Sequence, residues 1–237
     1  MSTIYDDEWA LNYVRRANAS IPGREGLYRL CVACLTDLPA AARVLVVGAG
    51  TGDELLLLAQ AKPGASFVAL EPADAMRQHC AARLEAAGLT SRVALVPHLL
   101  ADYRRNAGVH GEQSTDGGFD AATAILVSQH IPHSEQAAAF FQDLYLQLRP
   151  GGRLFSADLH IAQGQDRIAM LGLWQVQARL AGVEPDLLDR MRVAFEHDPR
   201  PRDEHQILGF LQMAGFVDVL KPFSSLMYGA WTARRTG

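Results

Sequence analysis

Cysteine is scarce in this chain: three in 237 residues, at positions 31, 34 and 80. An odd number placed in helix-patterned segments builds no disulfide framework and fits a reducing, cytoplasmic setting. Cys31 and Cys34 do form a C-x-x-C, but no second pair completes a zinc site and no strand precedes it. Both are therefore expected to be core thiols, and no metal is expected. No apolar run approaches the roughly 20 residues that a bilayer helix needs. The chain starts with Asp6, Asp7 and Glu8 rather than a basic stretch and an apolar run, so neither a membrane span nor a secretion signal is expected. Positive charge is not in excess either. The formal net charge of −4 offers nucleic acid no global field, and Arg200-Pro201-Arg202 and Arg234-Arg235 read as solvated surface. A small molecule is the expected partner, nucleic acid and membrane are not, and association into a homodimer is left open.

What is present is an ordinary globular composition, 49% apolar and 20% charged, in a chain long enough for one α/β domain with an appended cap. Apolar residues recur at helical spacing from Trp9 to Leu35, broken at Ile21-Pro22-Gly23, which predicts two helices joined by a turn. Short β-branched runs then alternate with helical stretches. Strands are expected at Arg43–Val47, Ser66–Leu70, Arg92–Val96, Phe119–Val127 and Arg153–Asp158, with helices at Asp53–Ala61, Ala73–Ala87 and Ser134–Leu148. Such alternation calls for a parallel sheet covered on both faces. After Leu159 the pattern changes, because Asp166–Arg179 and Pro185–Phe195 are helical with no strand between them. A helix at Asp203–Ala214 leads into strands at Phe216–Pro222 and Leu226–Ala233, and the short Phe223-Ser224-Ser225 link allows only an antiparallel pair. The expected architecture is a Rossmann-like sheet of seven strands with an antiparallel last strand. An N-terminal helical segment spans 1–42, the core 43–160 and 201–237, and a helical cap insert 161–200.

The strongest local signal is Val47-Gly48-Ala49-Gly50-Thr51-Gly52-Asp53-Glu54, a strand turning through three alternate glycines into a helix. Glycines let the backbone approach a ligand closely at such a turn, although a tight strand-to-helix turn needs glycine for its own sake as well. Glu71 closes the second strand about 20 residues later, where a carboxylate can accept both hydroxyls of a ribose; a plain strand-end acid is the alternative. Nicotinamide dinucleotides and S-adenosylmethionine share this geometry. Asp53 and Glu54 favour the second, because two carboxylates at the helix start would repel a pyrophosphate and suit a sulfonium and an ammonium.

Together the glycine turn, ALEPADAM at 69–76, LRPGGRL at 148–154 and AGFVDV at 214–219 resemble the class I S-adenosylmethionine-dependent methyltransferases. That resemblance implies S-adenosylmethionine as cofactor, with Gly48, Ala49, Gly50 and Gly52 along its methionine and ribose, Glu71 on the ribose hydroxyls, and Pro72 and Met76 near the adenine. Val127 closes the cofactor side from the fourth strand. The carboxylate that the family often places near the adenine amine is Leu99 here, which leaves backbone or Asp102 to serve. The acid often found two residues before the first glycine is Val46. Tyr5-Asp6, the Ser20–Gly23 turn, Ser134-Glu135 and the 209–216 stretch look closer to one branch, the carboxy-S-adenosylmethionine synthases of tRNA modification. That branch holds an extra carboxylate with an arginine where this chain has Leu208, and has an aromatic residue where this chain has Arg24.

The expected reaction is methyl transfer by in-line displacement to a small-molecule O or N acceptor; a carboxy-S-adenosylmethionine synthase-like or tRNA-modifying enzyme is the alternative. Displacement needs alignment more than a base. If the acceptor carries a proton, His130, just past the fourth strand, is the expected catalytic group, with His133 and His160 behind it. Gln129 beside it, Arg24 from the N-terminal turn, and Trp174, Arg192 and His197 from the cap are the candidate acceptor-binding residues. Trp174, Met191 and Phe195 also have the spacing of a helix core.

Overall fold

A computed structural model describes residues 14, 17–106, 118–197 and 201–237, with only the helical backbone described at 191 and 194–197. Residues 17–20 are helical and turn at 21–23 into α1 (Arg24–Cys34). There follow β1 (Arg43–Val47), α2 (Asp53–Ala61), β2 (Ser66–Leu70), α3 (Asp74–Ala86), β3 (Val93–Val96), α4 (Leu100–Asn106), β4 (Phe119–Ile125), α5 (Ser134–Gln147) and β5 (Leu148–Ile161). The remaining elements are α6 (Arg167–Leu180), α7 (Pro185–His197), β6 (Arg202–Asp203), α8 (Glu204–Ala214), β7 (Phe216–Ser225) and β8 (Tyr228–Arg235).

The strands lie in the order β3-β2-β1-β4-β5-β8-β7, with the short β6 added beside β5. Neighbours are parallel from β3 through β5, and β8 alone runs against its neighbours. Side-chain alternation splits the core in two. Val44 and Val46 face α1, α2, α3 and the cap helices, in a cluster with Leu27, Leu55, Cys80 and Trp174. Leu45 and Val47 face α4, α5 and α8, in a cluster with Tyr103, Phe141 and Leu211. The sheet is thus buried on both sides, which is why its inner strands read as continuous apolar runs.

Four sequence expectations change. The fourth strand stops at Ile125 rather than Val127, because Leu126 takes a left-handed φ of 61°. The fifth begins at Leu148 and runs to Ile161; the Pro150-Gly151-Gly152 turn that seemed to precede it is a kinked part of the strand, with the register to β4 shifting nearby. The last hairpin turns at Leu226-Met227 rather than at Phe223–Ser225, whose residues still pair with β8. Helix α4 was not expected, since its seven residues are polar apart from Leu100, Ala101 and Tyr103 and too few to show a period. The cap packs into the body of the molecule through α6: Trp174 is 0% exposed, and its indole Nε1 donates to the Ser20 carbonyl at 2.8 Å.

Candidate cofactor and acceptor site

The glycine turn sits at the carboxyl edge of β1, where open parallel sheets bind ligands. Its backbone is pinned to the next strand: the N–H groups of Gly48 and Ala49 donate to the Leu70 carbonyl at 2.8 and 3.0 Å. Gly48 has φ 68°, and a Cβ there would lie 2.6 Å from Val127 Cγ2. Only glycine fits at this position, both for its torsion and for the approach of the chain leaving β4. Gly52 caps α2 with φ 86°, and a Cβ on it would meet Cys80 Sγ at 2.9 Å.

Glu71, nearly buried, spans the turn. Its Oε2 accepts from Gly50 N at 2.8 Å and its Oε1 from Ala73 N at 2.8 Å. Burial pushes its carboxyl above the usual value, while the two backbone N–H groups pull the other way. Each oxygen keeps a lone pair beyond its backbone bond, so the carboxylate can still accept from a vicinal diol. Met76 reaches the same turn, with Cε 3.6 Å from where a Gly50 Cβ would be. Glu71 N also donates to Val96 O at 3.0 Å, which brings the end of β3, and half-exposed Leu99 three residues on, to the same edge. The structure therefore gathers Gly48, Gly50, Glu71, Met76 and Val127 into one group. Ala49 is buried and offers only its backbone, and Pro72 is exposed beside Glu71. A close-approach glycine turn beside a nearly buried diol-accepting carboxylate fits an adenosine cofactor.

Several expectations are corrected by pairing that sequence spacing does not reveal. Arg24 is 5% exposed and donates to Asp53 Oδ2 at 2.6 Å and Asn18 Oδ1 at 2.8 Å, so it is a strut of the glycine turn rather than an acceptor-binding residue. Arg83, which the sequence did not single out, donates to Asp53 Oδ1 and to the Thr51 carbonyl, each at 2.7 Å. Burial alone would raise the Asp53 carboxyl, but the two guanidinium groups outweigh it and hold the carboxyl below its ordinary value. Asp53 is thus already neutralised, and the argument that an acidic helix start repels pyrophosphate does not hold. Trp174 is core, as above. Asp102 is bound to Arg105 on its own helix.

Glu54 is 4% exposed, and its Oε1 has no hydrogen-bond partner among the described residues. Burial, with some help from Asp53 and Glu71 and against Arg24, pushes its carboxyl up to about 8. A raised folded-state value means that the fold favours the neutral acid, so its contribution to stability falls as pH rises from the ordinary 4.5 through about 8 and is level beyond. Glu54→Gln keeps the shape of the neutral acid. It is expected to melt above wild type at pH 9 and to lose less Tm between pH 6 and 9; a parallel fall of both proteins would refute this role.

Just past the carboxyl end of β4, Ser128–His130 form a 3-10 turn, with Gln129 half-buried and His130 exposed. His133 is exposed at the start of α5. His160 is buried on β5, where Lys221 Nζ lies 2.7 Å from its Nε2. Burial, reinforced by Lys221, lowers its value to about 4, so it packs as a neutral ring. Arg192 is half-buried on α7; the His197 side chain, the side chains of Met191 and Phe195, and the Tyr5-Asp6 start lie outside the described residues. Cys31 is buried as expected, whereas Cys34 is only half-buried; Cys80 is buried too, and burial pushes its thiol up to about 12. Among the described residues no acidic, His or Cys cluster could hold a metal, and no helix is long and apolar enough to cross a membrane.

Comparison with known proteins agrees with this geometry. Residues 45–154 match the family model described as a methyltransferase domain, a span that holds the glycine turn, Glu71, Met76 and Val127. The demethylmenaquinone methyltransferase of Thermus thermophilus is 32% identical over 112 residues, covering 47% of this chain and 44% of that protein. The chain thus matches less than half the length of that relative. Among solved structures, an O-methyltransferase family protein from Burkholderia thailandensis superposes with TM-score 0.63 at 18% identity, over 89% of this chain and 57% of the other. The [4+2]-cyclase SpnF gives TM-score 0.60 at 19% identity, over 88% and 80%. Identities this low speak for the fold alone. Residues 45–154 thus resemble a methyltransferase domain, and that match, the sheet order and the glycine–Glu71 geometry agree in implying S-adenosylmethionine as the cofactor.

Proposed function

We propose that the chain transfers a methyl group from S-adenosylmethionine to an oxygen or nitrogen of a small-molecule acceptor. The observation that carries this reading is the Glu71 carboxylate held by Gly50 N and Ala73 N at the mouth of the glycine turn. Gly48, Ala49, Gly50 and Gly52 would line the methionine and ribose, Glu71 would take the ribose hydroxyls, and Met76, Leu99, Pro72 and Val127 would border the remainder. Bound there, the cofactor supplies a methyl carbon already activated by its sulfonium, so the protein's task is alignment and exclusion of water. Gln129 and His130 stand at the edge where an acceptor would approach, and an exposed imidazole next to that edge can take a proton from a hydroxyl or amine. Arg192 and His197 from the cap would contact the acceptor from the other side.

The synthase alternative asks for a cation in α8. Leu208 there is 39% exposed and lines a cleft of about 370 Å³ with Asp203, Glu204 and His205 and without an arginine, which favours methyl transfer.

Native mass spectrometry of the purified protein is expected to show bound S-adenosylmethionine or its demethylated product. Incubation with the cofactor and a panel of small phenols and amines is expected to give the demethylated product and an acceptor heavier by one methylene group. A nicotinamide nucleotide in the spectrum, or cofactor consumed without a methylated product, contradicts the proposal.

A further inference from the structure

The turn that leaves β4 is held in an unfavourable backbone shape by groups far away in sequence. Leu126 has φ 61°, a left-handed conformation in which a Cβ crowds the following carbonyl oxygen. Its N–H donates to the Ala157 carbonyl at 2.7 Å, and the His130 and Ile131 amides close the turn onto Val127 O and Ser128 O at 3.0 and 2.9 Å. Two buried ionisable side chains, from the paired strands β5 and β6, hold this turn. Asp158 on β5, 2% exposed, accepts from Ser128 Oγ, and the Gln129 N–H also favours its ionised form. Arg202 on β6, 5% exposed, donates to the Ser128 carbonyl at 3.1 Å and to the Ile131 carbonyl.

We propose that Asp158 and Arg202 are positioning residues, which together hold the turn after β4 so that Val127 meets Gly48 on the cofactor side while Gln129 and His130 stand at the acceptor edge. The assignment of those two edges rests on the function proposed above; the grip itself does not. A forked guanidinium suits it, because one planar group satisfies two carbonyls of the same turn at once. The Asp158 Oδ1 atom has no partner among the described residues, which leaves the carboxylate sensitive to its proton.

Burial pushes the Asp158 carboxyl up to about 7 against the pull of Ser128, Arg202 and Gln129 N–H. If opening the turn wets this carboxyl, its proton is held more tightly in the closed turn than in the open one, and closure weakens as pH rises toward about 7 and is level above. The other charged groups nearby are Lys221 and Glu204, paired with each other at 2.8 Å, and His160, which at about 4 stays neutral over this window.

Hydrogen–deuterium exchange on the purified chain without cofactor or acceptor tests this. The amides of 126–131 would be followed against those of β4 as reference, at pH 5.5 and 7.5, after correction for intrinsic exchange. Arg202→Lys, which keeps the charge and loses the fork, is expected to speed exchange at 126–131 about tenfold or more with the β4 amides unchanged. Asp158→Asn is expected to abolish the loss of protection between the two pH values that wild type shows, and His160→Gln to leave that loss in place. Ser128→Ala removes only one hydroxyl and gives a milder loosening should either charge variant fold poorly. Calorimetry with S-adenosylhomocysteine is expected to show several-fold weaker binding to Arg202→Lys. Exchange at 126–131 equal to wild type in Arg202→Lys and Ser128→Ala, an equal rise in the β4 amides, or a pH response retained in Asp158→Asn overturns the proposal. Failure of wild type to bind S-adenosylhomocysteine would count against the proposed function and leave the exchange result standing.

Discussion

Glu71→Ala is expected to lower S-adenosylmethionine affinity roughly 10- to 100-fold, the order lost when a charged acceptor of hydroxyl hydrogen bonds is removed. The loss has two parts. The ribose would lose its carboxylate, and Gly50 N and Ala73 N, which donate to it at 2.8 Å each, would lose the partner that fixes the turn. Glu71→Gln separates this from simple bulk. Each oxygen now accepts from a different backbone N–H, so in the amide one N–H must face an NH2 group, and the glutamine variant is expected to bind almost as poorly as the alanine one. Isothermal calorimetry measures both, and unchanged affinity in either variant would place the ribose elsewhere.

A larger effect is expected at Gly48. Gly48→Ala puts a Cβ 2.6 Å from Val127 Cγ2 at a φ of 68°, so either Val127 or the turn must move, and the surface offered to the cofactor moves with it. Gly88 is the control: its φ is 67° and nothing lies within 4 Å of its would-be Cβ, so Gly88→Ala carries the torsional cost alone, about 1–2 kcal/mol. Gly48→Ala is expected to lose more stability than that and to bind S-adenosylmethionine at least 100-fold more weakly, while Gly88→Ala binds as wild type does. Equal affinities in the two variants would show that the glycine serves the turn and not the ligand.

The contrast between these two glycines shows what was legible in the sequence. A turn such as Gly48-Ala49-Gly50-Thr51-Gly52 is contiguous, and Glu71 follows at a spacing set by one helix and one strand, so local order alone brings them together. The alternation of strands and helices, and the reversed β8, are legible for the same reason. Arg24 and Arg83 were not, because their shared partner Asp53 is 29 and 30 residues away. An arginine in a polar turn reads as available for substrate until the fold buries it. Trp174 had both readings open, core or acceptor wall, and the bond to Ser20 decides for core. Asp158 gave no signal, and Arg202, expected at a solvated surface, is 5% exposed instead, since a carboxylate inside a strand run and an arginine beside a proline become a pair of grips only when β5 and β6 converge on the turn after β4. Pairing of Asp53 with Arg24 and Arg83, together with the burial of Glu54, removed one sequence argument, the repulsion of pyrophosphate by these two acids. Preference against a dinucleotide now rests on the closely spaced glycines, the reversed β8 and the methyltransferase-domain match.

Calorimetric titration of the purified chain with S-adenosylmethionine, S-adenosylhomocysteine and NADH tests that preference most directly. Saturable one-to-one binding of both sulfur nucleosides with no heat from NADH is the result this structure predicts, whereas NADH binding with comparable or higher affinity would contradict it.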